Sequence, residues 1–205
     1  MQTASYDVAD AGIARFQAVF RGQRSRKLHV ERVKLNLGRR ICIYPSVLSS
    51  LVAWAPFVPA AHDAVHAMLA LAAVTPNDVV LDIGCGDGRI VFAAVEAPFH
   101  ARRAVGVDID VALVAQCRHH PRYDPTRVEF LLDDWIQVDM MDATVLTLFF
   151  LPHESIARLL RQKCRPGTRV VTYVFAIPEW TPVATAATVP FLNAPDHSPL
   201  FLYIV

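Results

Sequence analysis

Residues 79–90, VVLDIGCGDGRI, constrain the fold more than any other stretch of the chain. Five residues of strand character, Val79 to Ile83, run into Gly84, Gly86 and Gly88, and an apolar helical pattern begins at Ile90. A short apolar run of this kind suits a parallel strand buried on both faces. Glycines let a backbone approach a ligand closely, and the helix that follows presents N–H groups and a positive dipole end to an anion. Asp82 sits near the carboxyl end of the strand, where open α/β sheets bind their ligands. The stretch implies a site for a nucleotide-type cofactor.

Spacing narrows the cofactor. The dinucleotide pattern G-x-G-x-x-G would need a third glycine at residue 89, which is Arg89. The observed string is D-x-G-x-G-x-G, with its acidic residue two before the first glycine. Without a ligand these residues would form only a tight strand-to-helix turn. The whole string resembles motif I of the class I S-adenosylmethionine-dependent methyltransferases.

Charge is unevenly placed. Residues 1–40 carry nine Lys/Arg against three acidic residues, whereas 41–205 carry eleven against sixteen. The acidic body argues against a broad nucleic-acid surface. In the basic part, Ile13, Phe16 and Phe20 share one helical face, with Arg15 and Arg21 off it. This predicts a targeting segment of mitochondrial type or a solvated basic arm, with Asp7 and Asp10 departing from the acid-poor rule. Residues 41–61 carry no charge, but Pro45, Pro56 and Pro59 interrupt them. An apolar cap beside the cofactor site is expected there, with peripheral membrane contact through 41–60. A membrane-spanning helix is the alternative.

Residues 61–74 predict a helix with Val65, Met68, Leu69 and Ala72 on one face, followed by a Thr75-Pro76-Asn77-Asp78 turn. His62 and His66 lie four apart around Asp63, like the zinc-protease helix, but lack its Glu and an obvious third ligand; no metal is expected. Beyond the Gly-rich loop, strands are predicted over 103–108, 127–132, 144–150 and 168–176, with helices over 111–119 and 154–163. Such alternation argues for a parallel sheet with helices on both faces. The segments 183–189 and 200–205, separated by Asn193-Ala194-Pro195-Asp196, read as a closing antiparallel pair. The domain expectation is a basic extension over 1–40, an apolar cap and helix over 41–76, and a cofactor-binding core over 77–205. A hydrophobic content of 54% suffices for that core. Cys42, Cys85, Cys117 and Cys164 form no C-x-x-C pair and read as reduced thiols of an intracellular protein, mitochondrial or otherwise cytoplasmic.

S-adenosyl-L-methionine asks for a particular set of partners. Asp108, 24 residues after Gly84, is placed to accept from both ribose hydroxyls. Asp134, or Asp133 in its stead, can accept from the adenine amino group, and Ile109 or Trp135 could flank its plane. Backbone amides of Gly86 and Gly88 could hold the methionine carboxylate, with Asp82 near the ammonium. Gly84 and Cys85 complete the loop. Asp110 reads as the N-cap of the next helix.

With these residues in place, the chain resembles a class I methyltransferase from about residue 56 onward. The resemblance implies a three-layer α/β/α Rossmann-like sheet of strand order 3-2-1-4-5-7-6, with strand 7 antiparallel. Pro56-Phe57-Val58-Pro59, the 82–90 string, Asp134, Thr147–Pro152 and the RPGTRVV run at 165–171 narrow it further. They are similar to the small protein-lysine methyltransferases of the ATP synthase c-subunit and the adenine nucleotide translocase, and to their bacterial relatives. Cys85 stands where many relatives have Ser, and Asp108 where the mitochondrial enzymes usually have Glu. By resemblance the partner is a protein lysine, including that of a membrane protein.

The Asn/Asp-Pro-Pro-Tyr/Phe string of amino-methylating nucleic-acid enzymes is absent; residues 150–153 read Phe-Leu-Pro-His. Methyl transfer to a lysine needs the reactants positioned and the amine deprotonated, which an apolar pocket favours. No dedicated base is required, and His153 is the one side chain named for the proton. The rival readings are a small-molecule or RNA methyltransferase on the same fold, an inactive cofactor-binding partner, and a nicotinamide oxidoreductase.

Overall fold

In a computed structural model of the chain, residues 57–149, 156–191 and 196–205 are described. β1 (Val79–Ile83) is buried at every position, as its apolar composition dictates. It lies between β2 (Arg103–Asp108) and β4 (Val145–Leu148), parallel to both; β3 (Val128–Leu132) pairs with β2 and β5 (Arg169–Tyr173) with β4. β7 (Ser198–Ile204) runs antiparallel between β5 and the edge strand β6 (Ala184–Thr188). The order is β3-β2-β1-β4-β5-β7-β6, as the resemblance implied.

Helices α1 (His62–Leu71), α2 (Arg89–Val95) and α3 (Val111–Arg118) cover one face, and their core holds Met68, Leu69, Phe92 and Phe130. α4 (Ile156–Lys163) covers the other, where Ile156 and Leu160 pack with Leu81, Met140 and Tyr203. Asp110 caps α3, its carboxylate accepting from the amides of Ala112 and Leu113 at 2.8 and 3.1 Å. The helix expected over 61–74 stops at Leu71, because Ala73 turns left-handed (φ 49°) and the Val74 amide reaches back to the Leu69 carbonyl at 3.1 Å. The fourth strand starts one residue late, at Val145; Thr144 just before it already donates its amide to the Val79 carbonyl at 2.9 Å, and its hydroxyl donates to Asp78 at 2.7 Å. That strand also ends at Leu148, short of Phe149, while residue 150 of the expected strand, the start of the helix expected at 154 and most of the 193–196 turn lie outside the described residues. So do the basic arm and the uncharged run 41–56.

Gly106 of β2 shows how closely the cofactor loop packs. A Cβ there would stand 2.8 Å from both the Cys85 sulfur and the Phe130 ring, which are buried. Gly106→Ala is therefore expected to destabilise the protein by about 1–3 kcal/mol through overpacking, read as a lowered midpoint in urea. Among the described residues no helix is long and apolar enough to cross a membrane.

Candidate functional site

The end of β1 folds tightly onto β2. The amides of Gly84 and Cys85 both donate to the Val107 carbonyl, at 2.8 and 3.0 Å. Left-handed backbone at Gly84, Gly86 and Gly88 (φ 74°, 54° and 77°) then carries the chain into α2. A Cβ on Gly86 would fall 2.2 Å from the ring of Phe57, which lies across the loop. Arg89 ties the same segment down: its guanidinium pairs with Asp87 (Nε to Oδ1, 2.9 Å) and donates to the Ala60 carbonyl. Cys85 points inward, against the position of Gly106, so it offers the crevice only backbone. Burial pushes its thiol well above the ordinary range.

The amides of Gly86 and Gly88, expected to receive a carboxylate, are used within the protein. Gly86 donates to Asp108 Oδ2 at 2.8 Å, and Gly88 to the Cys85 carbonyl at 2.9 Å. The second Asp108 oxygen accepts from the Asp110 amide at 2.9 Å. Asp108 thus clamps the Gly-rich loop to the start of α3, while remaining only partly buried.

Asp82 is 3% exposed and accepts a 2.7 Å hydrogen bond from the Thr147 hydroxyl of β4. Burial is the main cause that pushes its carboxyl up to about 7; the Thr147 bond opposes the shift, and the charges of Asp108 and Asp87 add to it. Past β3, the Asp133 amide donates to the Asp108 carbonyl at 3.1 Å, and Asp133 Oδ1 accepts from the Asp134 amide at 2.8 Å. Asp134 Oδ1 is committed to the Ile136 amide at 3.0 Å. Ile109 is partly exposed beside Asp108, whereas Trp135 packs partly buried on the α4 side of the sheet. His153 lies outside the described residues. His66 packs its ring against Phe99, 5.5 Å between centroids, and no metal-binding group of three or more His, Cys, Asp or Glu occurs among the described residues.

Asp82 next to last in β1, Asp108 at the end of β2 and Asp134 two residues beyond β3 thus lie at the same end of three adjacent strands. This set of acceptors fits a ligand that donates from an ammonium, a vicinal diol and an amine. Thr147, Phe57 and Arg89 were not singled out as site residues by composition or periodicity. Only the register of Thr147 opposite Asp82 could have marked it.

The family model described as the ANTKMT methyltransferase domain matches residues 82–184. A protein-lysine N-methyltransferase of Saccharolobus islandicus is 35% identical over 137 residues, which is 65% of this chain and 84% of that protein. The adenine nucleotide translocase lysine N-methyltransferase of Mus musculus is 33% identical over 63% of this chain, which spans 57% of its length. A solved RNA methyltransferase from Salinibacter ruber, in complex with S-adenosyl-L-homocysteine, is 34% identical. It has a TM-score of 0.63 and covers 72% of this chain and 94% of its own.

Proposed function

This chain belongs to the ANTKMT methyltransferase domain family and is an S-adenosylmethionine-dependent methyltransferase, and on that premise we propose that it methylates a lysine side chain of another protein. The observation that carries the proposal is the likeness to the archaeal protein-lysine N-methyltransferase, of which this chain covers 84%. The acidic balance of residues 41–205 supports a cationic acceptor over a phosphate backbone. The uncharged run 41–61 supports a partner with an apolar surface, including one set in a membrane.

In this reading Asp108 receives the ribose hydroxyls on the lone pairs its two amide bonds leave over. Asp134, with Asp133 as substitute, accepts from the adenine amine, and Ile109 and Trp135 border the base. Asp82 faces the ammonium. Gly84, Cys85, Gly86 and Gly88 form a backbone bed; the two later glycines serve by shape, since their amides are taken. When bound, S-adenosylmethionine supplies a methyl group on a positively charged sulfur, which a neutral amine displaces. The enzyme's task is to orient the lysine nitrogen, exclude water and let its proton go to solvent. His153 is a candidate to take that proton; an unchanged pH–rate profile in His153→Ala would remove it.

The Salinibacter likeness makes RNA the second reading. Tritiated S-adenosylmethionine incubated with the enzyme and a whole-cell extract separates the two. Label lost to protease but not to ribonuclease is expected, and the converse would overturn the proposal.

Residues 1–40 belong in this reading to targeting or to a basic arm. Their deletion should leave S-adenosylhomocysteine affinity within about twofold and change where the protein is found in the cell. A folded truncation with lost affinity would make the arm part of the site.

A further inference from the structure

We infer that Thr147 is a positioning residue of the cofactor site: its hydroxyl, donated to Oδ1 of Asp82, keeps that buried carboxyl in the charged form that takes the ligand's ammonium on Oδ2. The inference rests on the cofactor reading above, in which Asp82 faces the ammonium.

The rest of β4 is apolar, with Val145, Leu146 and Leu148 all buried, and Thr147 carries the one hydroxyl of the strand. Thr147 has no exposed surface, and register sets it directly opposite Asp82 of β1. Side chains alternate along a strand, so Thr147 shares the α1 face with Val145, as Asp82 does with Val80. A hydroxyl there is cut off from bulk water, and valine has nearly the same shape without that cost. Its partner is Asp82, at 2.7 Å.

Asp82 in turn has no cation of its own. The charges that act on it come from acids, Asp108 at the end of β2 and Asp87 in the glycine loop, and the Cys85 thiol is a further titratable group beside it. Arg89, at the start of α2, spends its guanidinium on Asp87 and the Ala60 carbonyl. On α1, His62, Asp63 and His66 are exposed, with the His66 ring against Phe99. Among the described residues no salt bridge reaches Asp82. A carboxyl that is 3% exposed and near like charges is driven toward its neutral form. A hydrogen bond is roughly twice as strong to an ionised acceptor as to a neutral one, so the Thr147 bond pulls the other way. The cation that Asp82 lacks is the one the cofactor brings.

The test is calorimetric titration of the full chain with S-adenosylhomocysteine from about pH 6 to 8.5. Losing one hydrogen bond to a charged group moves a carboxyl upward by about one pH unit. Thr147→Val should therefore bind about tenfold more weakly than wild type at pH 6, a deficit that shrinks to about twofold or less by pH 8.5. Thr147→Ser keeps the hydroxyl and should follow the wild type within about twofold at each pH, whereas Thr147→Ala should follow valine. In an Asp82→Asn background, Thr147→Val should add no deficit that varies with pH. A role in packing alone would lower the urea midpoint and leave the affinity ratio level with pH. A folded Thr147→Val protein with wild-type affinity, or with a deficit equal at every pH, overturns the inference, and so does Thr147→Ser falling with valine. Asp82→Asn separates the two readings. Wild-type binding in that variant removes Asp82 from the ammonium and the inference with it; weak binding there beside an unaffected Thr147→Val overturns the inference alone.

Discussion

Asp108→Ala should weaken S-adenosylhomocysteine binding by about 3 kcal/mol or more, over a hundredfold, as the sum of lost charge-assisted hydrogen bonds. Two losses coincide. The proposed ribose contacts disappear, and so do the bonds from the Gly86 and Asp110 amides that hold the glycine loop against α3. Asp108→Asn retains one acceptor oxygen and should fall between alanine and wild type. The fold should survive, because the carboxylate lies partly exposed at the end of β2 and contributes little apolar packing. Calorimetric titration on variants with native circular dichroism measures the effect. Unchanged affinity in a folded Asp108→Ala protein would remove Asp108 from the site.

The second large effect is a dependence on pH. The carboxyl of Asp82, ordinarily at 3.8, is raised to about 7 in the folded protein, chiefly by burial. The folded state therefore holds a proton that the unfolded chain releases. Stability from this group is fully present below about pH 4, declines as pH rises through 7 and is level above, by roughly 4 kcal/mol in all. Asp78 and Asp87 are shifted the other way, their hydrogen bonds and arginine partners outweighing burial, so their contributions are lost only as pH falls below the usual carboxylate range. Denaturation followed between pH 5 and 8 should show the decline in wild type and lose most of it in Asp82→Asn. The amide can still accept the Thr147 hydroxyl, so the variant should be the more stable protein at pH 8.

Cofactor binding should move oppositely if Asp82 faces the ammonium. Affinity should rise by up to tenfold per pH unit toward 7 and then level, since the ionised form is the one that binds. Asp82→Asn should bind weakly at every pH. A wild-type affinity flat across this range would separate Asp82 from the ligand.

Much of the sheet that frames this site is legible in the sequence. The strands 79–83 and 103–108 were read at their observed limits because each is an apolar run ending beside a carboxylate and a turn. Asp110 was read as a cap because a short acceptor preceded a helical pattern. The strand order came from the family resemblance, since periodicity assigns elements and not their neighbours. What stayed hidden depends on contacts between distant segments. The Asp108 bond to the Gly86 amide spans 22 residues, and nothing in the glycine spacing signals it. The Phe57 ring over Gly86 joins two segments whose local patterns are independent. Phe149, Tyr173 and Phe191 come from three parts of the chain and meet only because β5 lies beside β4 and β7. The early end of α1 turned on one left-handed alanine, which helix propensity does not anticipate.

The claim that matters most is that the methyl group ends on a protein lysine. Tandem mass spectrometry of proteolysed extract protein, after reaction with deuterated S-adenosylmethionine, tests it most directly. The expected product is methylated lysine carrying the deuterated methyl, formed by wild type and strongly reduced in Asp108→Ala. Deuterated methyl groups found only on RNA nucleosides or on a small metabolite, with every protein lysine unlabelled, would contradict it.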